Sequence, residues 1–398
     1  MKILITITKA EIGGAQVFVL NLAKELKRKG HDVVVAFGYG DYLPLELNLE
    51  GIKFHQFKNL KRGFSPIANI LYIKELTNYV RENDFDIVHL NSTNTLLGSF
   101  SLKKLASKRR RPKTVFTVHG LSVIDGGYKK HSFLKILFKK FFSLAFSKLD
   151  KIVFVSRKNY DFAKEANILS AKTIRKSTIV YNGLDIDDSY FISQDEARSY
   201  IANKLKYHKA LKEGEGKYNT IDKKTFIYGS IGRLAYPKNY EFLISTFKEV
   251  VKVISSAKLI IIGEGPERQK YEAMIKTYGL EKDVILLGEI KEASRYIKAF
   301  DAFVLPSLYE GLSISLIESR FANIASLASL VGGNEEVLGA SNCFKLDDPQ
   351  DFIDKLVSVH KRVDEENDSE KGSSSLEKFR ANTMAEKYLE IYALLTQN

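Results

Sequence analysis

The chain has 398 residues, 44% of them hydrophobic and 27% charged, which predicts two domains and excludes a largely disordered protein. Cys343 is its single cysteine, so neither a disulfide framework nor a thiolate metal cage is available, and a reducing compartment is expected. The formal net charge of +13 favours an anionic partner, whether a nucleic acid, an acidic lipid or a phosphorylated substrate.

Short apolar runs alternate with longer amphipathic segments in the first half of the chain, which predicts a parallel sheet covered by helices. The first run is too short for a signal peptide, and no stretch has the roughly 20 apolar residues of a spanning helix. A cytoplasmic protein without a transmembrane helix is therefore expected. Strands are expected at residues 3–7, 32–37, 87–90, 114–118, 152–155 and 178–181, and helices at residues 15–29, 67–82, 96–106 and 133–148.

A basic segment covers residues 101–150, where 13 Lys and Arg residues are opposed only by Asp125 and Asp150. Large apolar residues interleave with these charges, namely Phe133, Leu134, Leu137, Phe138, Phe141, Phe142 and Phe146. The phenylalanines are expected to pack mainly on the domain core. The charges favour contact with an anionic membrane surface or an anionic acceptor.

The alternation weakens over the polar residues 185–224 and then resumes. Strands are expected at residues 225–231, 257–262, 284–287 and 302–305, and helices at residues 240–253, 267–278, 312–322, 349–362 and 378–395. This pattern predicts an α/β protein of two Rossmann-like halves with a ligand site in the cleft between them. The predicted divisions are residues 1–183 and 225–377 for the two domains, 184–224 for a hinge and linker, and 378–398 for a closing helix.

Two loops carry residues suited to phosphate. Gly13 and Gly14 lie between the first strand and its helix, where the backbone can approach a ligand closely and helix amides are free. A phosphate, a charged acceptor group or simply a tight turn fits this placement, and the G-x-G-x-x-G dinucleotide fingerprint is absent. In the second half, Gly232, Arg233 and Lys238 follow a strand, and the two cations are suited to a diphosphate.

The most specific pattern runs from Pro306 to Glu318. Glu310 ends a strand-to-helix turn, and Glu318 lies about two helical turns further on. Carboxylates accept hydrogen bonds from paired sugar hydroxyls, so one would hold a hexose and the other a ribose. The helix N-terminus between them would face the diphosphate that links the two sugars. Two solvated glutamates are the alternative, which the flanking apolar residues disfavour.

These motifs, in this order, resemble those of the family-4 retaining glycosyltransferases of GT-B fold along nearly the whole chain. The resemblance implies two facing Rossmann-like domains, with the acceptor bound by residues 1–183 and the nucleotide-sugar donor by residues 225–377. It implies transfer of a hexose, from a UDP-sugar by preference, to a glycan or lipid-linked acceptor in cell-surface polysaccharide synthesis. Its motifs are Gly13-Gly14-Ala15, Thr117-Val118-His119-Gly120, Tyr181-Asn182-Gly183-Leu184-Asp185, Gly232-Arg233-Leu234 with Lys238, Ile262-Gly263-Glu264-Gly265-Pro266, Glu310 with Glu318, and Val331-Gly332-Gly333-Asn334-Glu335.

The resemblance also implies roles for these residues. Arg233 and Lys238 would bind the donor diphosphate, Glu318 the ribose, and Glu310 and His119 the transferred sugar. Taken alone, His119 fits better as a strand-end histidine bonded to the backbone. The implied catalytic residues are His119, Glu310, Arg233 and Lys238, and the implied donor-binding residues are Gly13, Gly14, Gly232, Arg233, Lys238, Gly263, Gly311, Leu312, Ser313 and Glu318.

The chain departs from the family pattern in three places. Asn323 and Ala325 stand where Gly and Pro are usual, and Asn334 stands where Pro is commoner. Asn tolerates the left-handed conformation, so the turn at Asn323 is expected to survive. Asp185-Ile186-Asp187 has the D-x-D pattern of metal-dependent transferases but lies in the hinge, so a turn is expected there, with no metal and no cofactor besides the nucleotide-sugar co-substrate. Fixed positive groups would stabilise the departing diphosphate instead.

Other functions remain compatible with the sequence. A nucleotide-sugar epimerase of the same fold would convert the donor without an acceptor. A non-catalytic subunit of a transferase complex would bind nucleotide without turnover. Nucleic-acid binding rests on charge alone, and no nucleic-acid partner is expected. The resemblance favours a transferase peripherally associated with the inner face of the membrane.

Overall fold

The computed structural model describes residues 1–63, 65–105, 111–124, 132–187, 189–210, 221, 224–364 and 376–397. The chain divides into two compact units, Met1–Asp185 with Glu377–Asn398, and Ile186–Leu376. Each unit contains a parallel sheet with helices packed against it. The predicted α/β class with two Rossmann-like domains is therefore confirmed.

In the described part of the first unit, seven parallel strands have the order β3-β2-β1-β4-β5-β6-β7. Alternate residues of the first strand face opposite sides of the sheet, so Leu4 joins one hydrophobic cluster, and Ile3 and Ile5 join the other. Burial on both faces requires a continuous apolar run, which makes such strands recognisable in the sequence. The strands are β1 (Lys2–Lys9), β2 (Asp32–Tyr39), β3 (Lys53–Gln56), β4 (Ile87–Leu90), β5 (Lys113–Val118), β6 (Lys151–Phe154) and β7 (Ser177–Ile179).

The C-terminal helix completes the core of this unit. Phe18 and Leu22 of the first helix lie in the same hydrophobic cluster as Tyr388 and Tyr392 of the last. Burying one such side chain contributes about 1.5–3 kcal/mol. The helices of this unit are α1 (Gly14–Arg28), α2 (Tyr42–Leu49), α3 (Pro66–Asn83), α4 (Ser99–Leu102), α5 (Ser132–Lys148), α6 (Arg157–Glu165), α7 (Ala171–Ile174) and α14 (Ala381–Gln397), with short 3-10 helices at Thr95–Gly98 and Glu377–Phe379.

A buried polar network also ties α14 to the sheet. His89 Nε2 lies 2.7 Å from the Thr117 hydroxyl, which lies 2.7 Å from the Tyr388 hydroxyl. The Tyr392 hydroxyl lies 2.7 Å from His89 Nδ1. Burial lowers the pKa of His89 to about 3, so its ring is neutral and both nitrogens are satisfied by hydroxyl groups.

In the described part of the second unit, six parallel strands have the order β10-β9-β8-β11-β12-β13. The carboxyl ends of β8, β9, β11 and β12 therefore lie along one edge. The strands are β8 (Phe226–Ile231), β9 (Ala257–Ile262), β10 (Val284–Gly288), β11 (Ala302–Leu305), β12 (Ala325–Ser329) and β13 (Cys343–Phe344). The helices are α8 (Gln194–Ala210), α9 (Tyr240–Val253), α10 (Arg268–Thr277), α11 (Ile314–Phe321), α12 (Asn334–Leu338) and α13 (Pro349–Asp364), with 3-10 helices at Tyr236–Lys238, Ala293–Ala299 and Ala340–Asn342.

Residues 96–106 do not form the single predicted helix. A 3-10 helix covers Thr95–Gly98, and α4 ends at Leu102, while residue 106 lies outside the described part of the chain. Glycine and serine are weak helix formers, and the Ser101 hydroxyl donates to the Gly98 carbonyl oxygen at 3.1 Å. Apolar periodicity alone was insufficient to predict this segment.

The segment expected to be a hinge and linker, residues 184–224, contains the helix α8. Its Ala197, Ile201 and Leu205 are buried at a spacing of four residues. Arg198 donates to both carboxylate oxygens of Asp301, at 2.7 and 2.6 Å. Because many charged residues surround these three apolar residues, the sequence shows only a weak helical periodicity here. Residues 211–220 of the expected linker lie outside the described residues.

Candidate nucleotide-sugar site

Loops at the carboxyl edge of the second sheet contact one another through glycine. Gly263, after β9, has φ +148°, and a Cβ atom there would lie 2.0 Å from the Gly232 carbonyl oxygen. Only glycine permits this approach. The Leu308 amide donates to the Pro237 carbonyl oxygen at 2.9 Å, which joins the loops after β8 and β11. The predicted residues Gly232 and Gly263 thus hold neighbouring loops together.

Lys238 and Glu310, which were assigned to different parts of the donor, form an ion pair. Lys238 Nζ donates to Glu310 Oε1 at 2.8 Å, and the Ser307 hydroxyl donates to the same oxygen at 2.7 Å. The side chains of Lys238 and Glu310 are 24% and 15% exposed, so both remain accessible. The loops after β8 and β11 therefore present one cation and one carboxylate side by side.

Arg233 follows β8 and is exposed. No hydrogen bond or ion pair joins its guanidinium group to another residue within the described part of the chain. Its charge is available to an anionic ligand. Lys238 lies in the same loop, so the sequence correctly placed these two cations on one edge of the sheet.

Gly311, Leu312 and Ser313 are buried and lead directly into α11. The Ser313 hydroxyl caps the helix by accepting from the Leu316 amide at 3.4 Å. The loop after β12 supports this turn, because Gly333 donates from its amide to the Gly311 carbonyl oxygen at 3.0 Å. The predicted phosphate-facing segment is therefore a fixed helix start.

Glu318 lies on α11 as a half-buried residue, and burial raises the pKa of its carboxyl group to about 7. The nearby Ser294 hydroxyl lowers the pKa of this carboxyl group and partly offsets the effect of burial. The Tyr190 hydroxyl lies 2.7 Å from Ser294 Oγ, and either hydroxyl group is able to donate to the other. Burial and the nearby charge of Glu318 raise the pKa of Tyr190 to about 12. Two hydroxyl groups, those of Ser294 and Tyr190, thus lie beside the Glu318 carboxylate.

His119 lies in the first unit, directly after β5, and its partner is a side chain. Its Nε2 lies 3.2 Å from Asn91 Oδ1, while Asn91 Nδ2 donates to the His89 carbonyl oxygen at 3.3 Å. The amide orientation assigns the His119 proton to Nε2 and leaves Nδ1 as an acceptor. Burial lowers the pKa of His119 to about 3, so the ring is neutral. The Phe18 ring packs edge-on at 4.7 Å between centroids.

Gly13 and Gly14 lie between β1 and α1, in the same unit as His119. The carbonyl oxygen of Gly13 accepts from the amides of Gln16 and Val17, both at 3.0 Å. Gly13 has φ 170°, an extended conformation open to any residue, so backbone strain does not require glycine here. The positive-φ turn considered for this glycine is therefore absent, and the role of Gly13 and Gly14 in binding stays a prediction.

The turn at Asn323 forms although asparagine stands where glycine is usual. Asn323 has φ +57°, as expected for a left-handed residue after a helix. The amides of Asn323 and Ile324 donate to the carbonyl oxygens of Arg320 and Ser319, at 3.1 and 3.0 Å. This hydrogen-bond pattern closes α11 and brings the chain into β12. Asn334 begins α12, and its side-chain amide donates to the Ser329 carbonyl oxygen at 3.0 Å.

The D-x-D carboxylates are engaged locally. Asp185 lies 2.9 Å from Arg28 and 3.6 Å from Lys24. Asp187 accepts from the amide and the hydroxyl of Ser189, at 2.9 and 2.6 Å, which is the expected turn. Across the described ranges, no group of three or more His, Cys, Asp or Glu side chains is placed to hold a metal ion.

Three residues of these arrangements were missed in the sequence. Asn91 follows the apolar run of β4 as His119 follows that of β5, so its position at a strand end was a usable signal. Tyr190 and Ser294 come from segments 104 residues apart and carry no local motif. Only the folded chain brings them together.

Comparison with known proteins agrees with the fold described above. Residues 12–188 match the family model Glycosyltransferase Family 4, and residues 212–371 match Glycosyl transferases group 1. Among solved structures, Anabaena Alr3699/HepE in complex with UDP-glucose aligns over 99% of each chain, with a TM-score of 0.74 at 16% identity.

Among the described residues, we find no helix both long and apolar enough to cross a bilayer.

Two curated relatives are similar over most of this chain. An uncharacterized glycosyltransferase of Methanocaldococcus jannaschii is 28% identical over 277 residues, which are 69% of this chain and 60% of that protein. The UDP-Gal:alpha-D-GlcNAc-diphosphoundecaprenol alpha-1,3-galactosyltransferase of Escherichia coli is 24% identical over 311 residues, which are 75% of this chain and 73% of that protein. With both family models matched in order and both parallel-sheet units in place, the chain belongs to the family-4 glycosyltransferases of GT-B fold.

Proposed function

We propose that the protein is a retaining, metal-independent hexosyltransferase that moves a sugar from a UDP-sugar to a glycan or lipid-linked acceptor in cell-surface polysaccharide synthesis. It would work at the cytoplasmic face of the membrane. The observation that carries the proposal is the carboxyl edge of the second sheet. There Arg233, Lys238, the start of α11 and the carboxylate of Glu318 are supplied by loops and a helix of one unit.

These groups suit the two ends of a nucleoside diphosphate. Arg233 offers a planar fork and Lys238 a point charge, which together neutralise phosphate oxygens. The free amides at the start of α11 add further positive potential. The Glu318 carboxylate, when ionised, accepts hydrogen bonds from the paired hydroxyls of a ribose. The Ser294 and Tyr190 hydroxyl groups beside this carboxylate would help to orient it for the ligand.

Glycosyl transfer passes through a state in which positive charge builds on the sugar and negative charge on the departing diphosphate. Arg233, Lys238 and the helix amides would stabilise the leaving group, which lowers the barrier electrostatically. In the front-face displacement implied by retention, the diphosphate takes the acceptor proton as the acceptor oxygen bonds to the anomeric carbon. Neutral His119 would accept a hydrogen bond from a sugar hydroxyl through Nδ1. Glu310 would accept from a hydroxyl of the transferred sugar.

The relatives support the choice of donor and acceptor. The E. coli relative uses UDP-Gal and a diphosphoundecaprenol-linked sugar, by its name, and a structural neighbour was solved with UDP-glucose. A lipid-linked acceptor requires the enzyme to work at a membrane surface. That requirement agrees with the basic amphipathic helix of the first unit.

The helix α5 divides into a packed half and an exposed half. Phe142 and Phe146 are buried, in agreement with the expectation that the phenylalanines pack on the core. Phe133, Ile136 and Leu137 are instead 68%, 52% and 47% exposed. Exposed apolar residues beside lysines suit the interface of an anionic membrane. Residues 106–110 and 125–131 of the predicted basic segment lie outside the described residues.

Transfer of radiolabelled sugar tests the proposal. A panel of nucleotide sugars is first ranked by the rise in melting temperature, since a ligand of the native state raises it according to affinity. The best donor is then incubated with and without lipid-linked acceptors. UDP-sugar binding with acceptor-dependent transfer supports the proposal. Conversion of the donor alone would identify an epimerase, and binding without turnover a non-catalytic subunit.

A further inference from the structure

We propose that Lys58, Lys61 and Arg62 form a binding site for the phosphate groups of a phosphorylated acceptor. The inference rests on the proposed function and names the class of acceptor. These residues belong to the loop after β3, here called the basic loop (residues 57–63). Neither the motifs of the sequence nor the catalytic scheme above uses them.

The basic loop lines a cavity of about 300 Å³ at the carboxyl end of β2. The cavity is open to solvent, and Lys58, Lys61 and Arg62 are exposed at its surface. Three of its lining residues are cations and none is acidic. The lining residues are Gly38, Tyr39, Lys58, Leu60, Lys61 and Arg62.

The three cations have no ion-pair partner among the described residues. Among the described residues, no carboxylate lies within ion-pair distance of Lys58, Lys61 or Arg62. Lys9, at the end of the neighbouring strand β1, is by contrast paired with Glu11 at 2.6 Å. The lining of the cavity therefore carries three positive charges that are not held in ion pairs, and such charges attract anions and raise their local concentration.

The loop that carries these cations is held at three points. Asn59 Nδ2 donates to Glu75 at 2.7 Å, and Asn94 Nδ2 donates to the Gly63 carbonyl oxygen at 3.0 Å. A Cβ atom on Gly38 would lie 1.7 Å from the Leu60 carbonyl oxygen, so the loop backbone packs directly on β2. A loop fixed in this way loses little conformational freedom when it binds a ligand.

Phosphate is the anion that this set of side chains fits. A guanidinium fork and two ammonium groups match the several oxygens and the double charge of a phosphate better than a single carboxylate. The cavity lies at the same sheet edge as His119, three strands away, or about 14 Å by strand spacing. An acceptor could therefore be held by its phosphate groups while its reacting hydroxyl lies towards His119.

The test compares two charge-matched variants of the full chain. Lys58→Ser/Lys61→Ser/Arg62→Ser removes the site, and Lys164→Ser/Lys172→Ser/Arg175→Ser removes three exposed cations of the same unit near α6 and α7. Inorganic pyrophosphate is titrated calorimetrically into protein saturated with UDP. We expect binding to the wild type and the control, at least tenfold weaker binding to the first variant, and equal Kd values for UDP in all three. Lys61→Ser alone is expected to give an intermediate loss.

Vesicles then separate an acceptor phosphate from a lipid headgroup. One set contains phosphatidylcholine with a polyprenyl diphosphate sugar, and the other contains phosphatidylcholine with phosphatidylglycerol. If the Lys58→Ser/Lys61→Ser/Arg62→Ser variant binds more weakly than the wild type only to the vesicles with polyprenyl diphosphate sugar, the acceptor site is supported. An equal loss on both sets, or equal pyrophosphate affinity in the two triple variants, overturns it. If UDP binds to none of the proteins, the proposed function fails, and the pyrophosphate titration in an Arg233→Met/Lys238→Met background still decides this proposal.

Discussion

Lys238 Nζ lies 2.8 Å from Glu310 Oε1, so two groups assigned to the donor neutralise each other in this structure. Ser307 donates to the same carboxylate oxygen at 2.7 Å. A phosphate that reaches Lys238 would share or replace its carboxylate partner. The released Glu310 oxygen would then be able to accept from a sugar hydroxyl. Binding of diphosphate and of hexose would thus be coupled through this pair.

Lys238→Met should lower kcat by about 10²–10³, the usual effect of removing one group that stabilises transition-state charge. Lys258→Met is the matched control, because Lys258 has a similar ion pair with Asp283 at 2.7 Å but lies at the opposite end of its strand. Steady-state transfer kinetics measure both variants. Equal losses in the two would show that Lys238 acts only through folding.

Glu318→Gln should make the fold more stable while it weakens donor binding. Burial raises the pKa of Glu318 from an ordinary 4.5 to about 7, so the folded chain favours the protonated carboxyl. The stability from this preference is present below the unfolded pKa and is lost as pH rises through about 7. Urea unfolding at pH 8 should therefore show Glu318→Gln more stable by up to about 3 kcal/mol.

The same carboxyl group should make nucleotide binding depend on pH. Only the ionised form accepts from both ribose hydroxyls, so the wild-type Kd for UDP should fall about tenfold from pH 6 to pH 8. Glu318→Gln should bind UDP weakly at both pH values. A wild-type Kd that is constant over this range would contradict the assignment of Glu318 to the ribose.

Tyr190→Phe tests whether the Tyr190–Ser294 hydroxyl pair beside Glu318 supports donor binding. Loss of the hydrogen bond to Ser294 is expected to cost about 1 kcal/mol, or roughly fivefold in the Kd for UDP. Tyr200→Phe is the control, since Tyr200 stacks on Tyr296 in the same unit at 4.2 Å between centroids. Calorimetric titration at pH 8 should separate the two variants. A similar Kd in both would remove Tyr190 from the donor site.

Tyr392→Phe should destabilise the first unit. It leaves His89 Nδ1, buried and 2.7 Å from the lost hydroxyl, without a partner. An unsatisfied buried polar group costs about 1–3 kcal/mol. Urea unfolding should show this loss, whereas Tyr278→Phe, at a 39% exposed position, should change stability little. An unchanged free energy of unfolding for Tyr392→Phe would mean that water or another group replaces the hydroxyl.

The sequence was sufficient for the strands that are buried on both faces, because a continuous apolar run such as β9 has few alternatives. It was insufficient for β3, β12 and β13. Residues of β3 are largely exposed, β12 consists mainly of alanine and serine, and β13 has two residues. Helix α8 was not predicted for a related reason, since three apolar residues among many charged ones give a weak periodic signal.

The residues of the candidate site also divide into those that the sequence identified and those that it did not. Arg233, Lys238 and Glu310 were recognisable because they follow strands whose carboxyl ends share an edge. The pairing of Lys238 with Glu310 was not predicted, since it depends on side-chain conformations set by Ser307 and the loop backbone. Tyr190 and Ser294 could not be found from spacing, as they come from distant segments that meet only in the folded unit.

Calorimetric titration of UDP at pH 8 into the wild type, Arg233→Met, Glu318→Gln and Lys258→Met tests the central assignment most directly. We predict that the wild type and Lys258→Met bind with the same Kd. Arg233→Met and Glu318→Gln should each bind at least tenfold more weakly while remaining folded by circular dichroism. Equal affinity in all four proteins would contradict the placement of the nucleotide at the carboxyl edge of the second sheet.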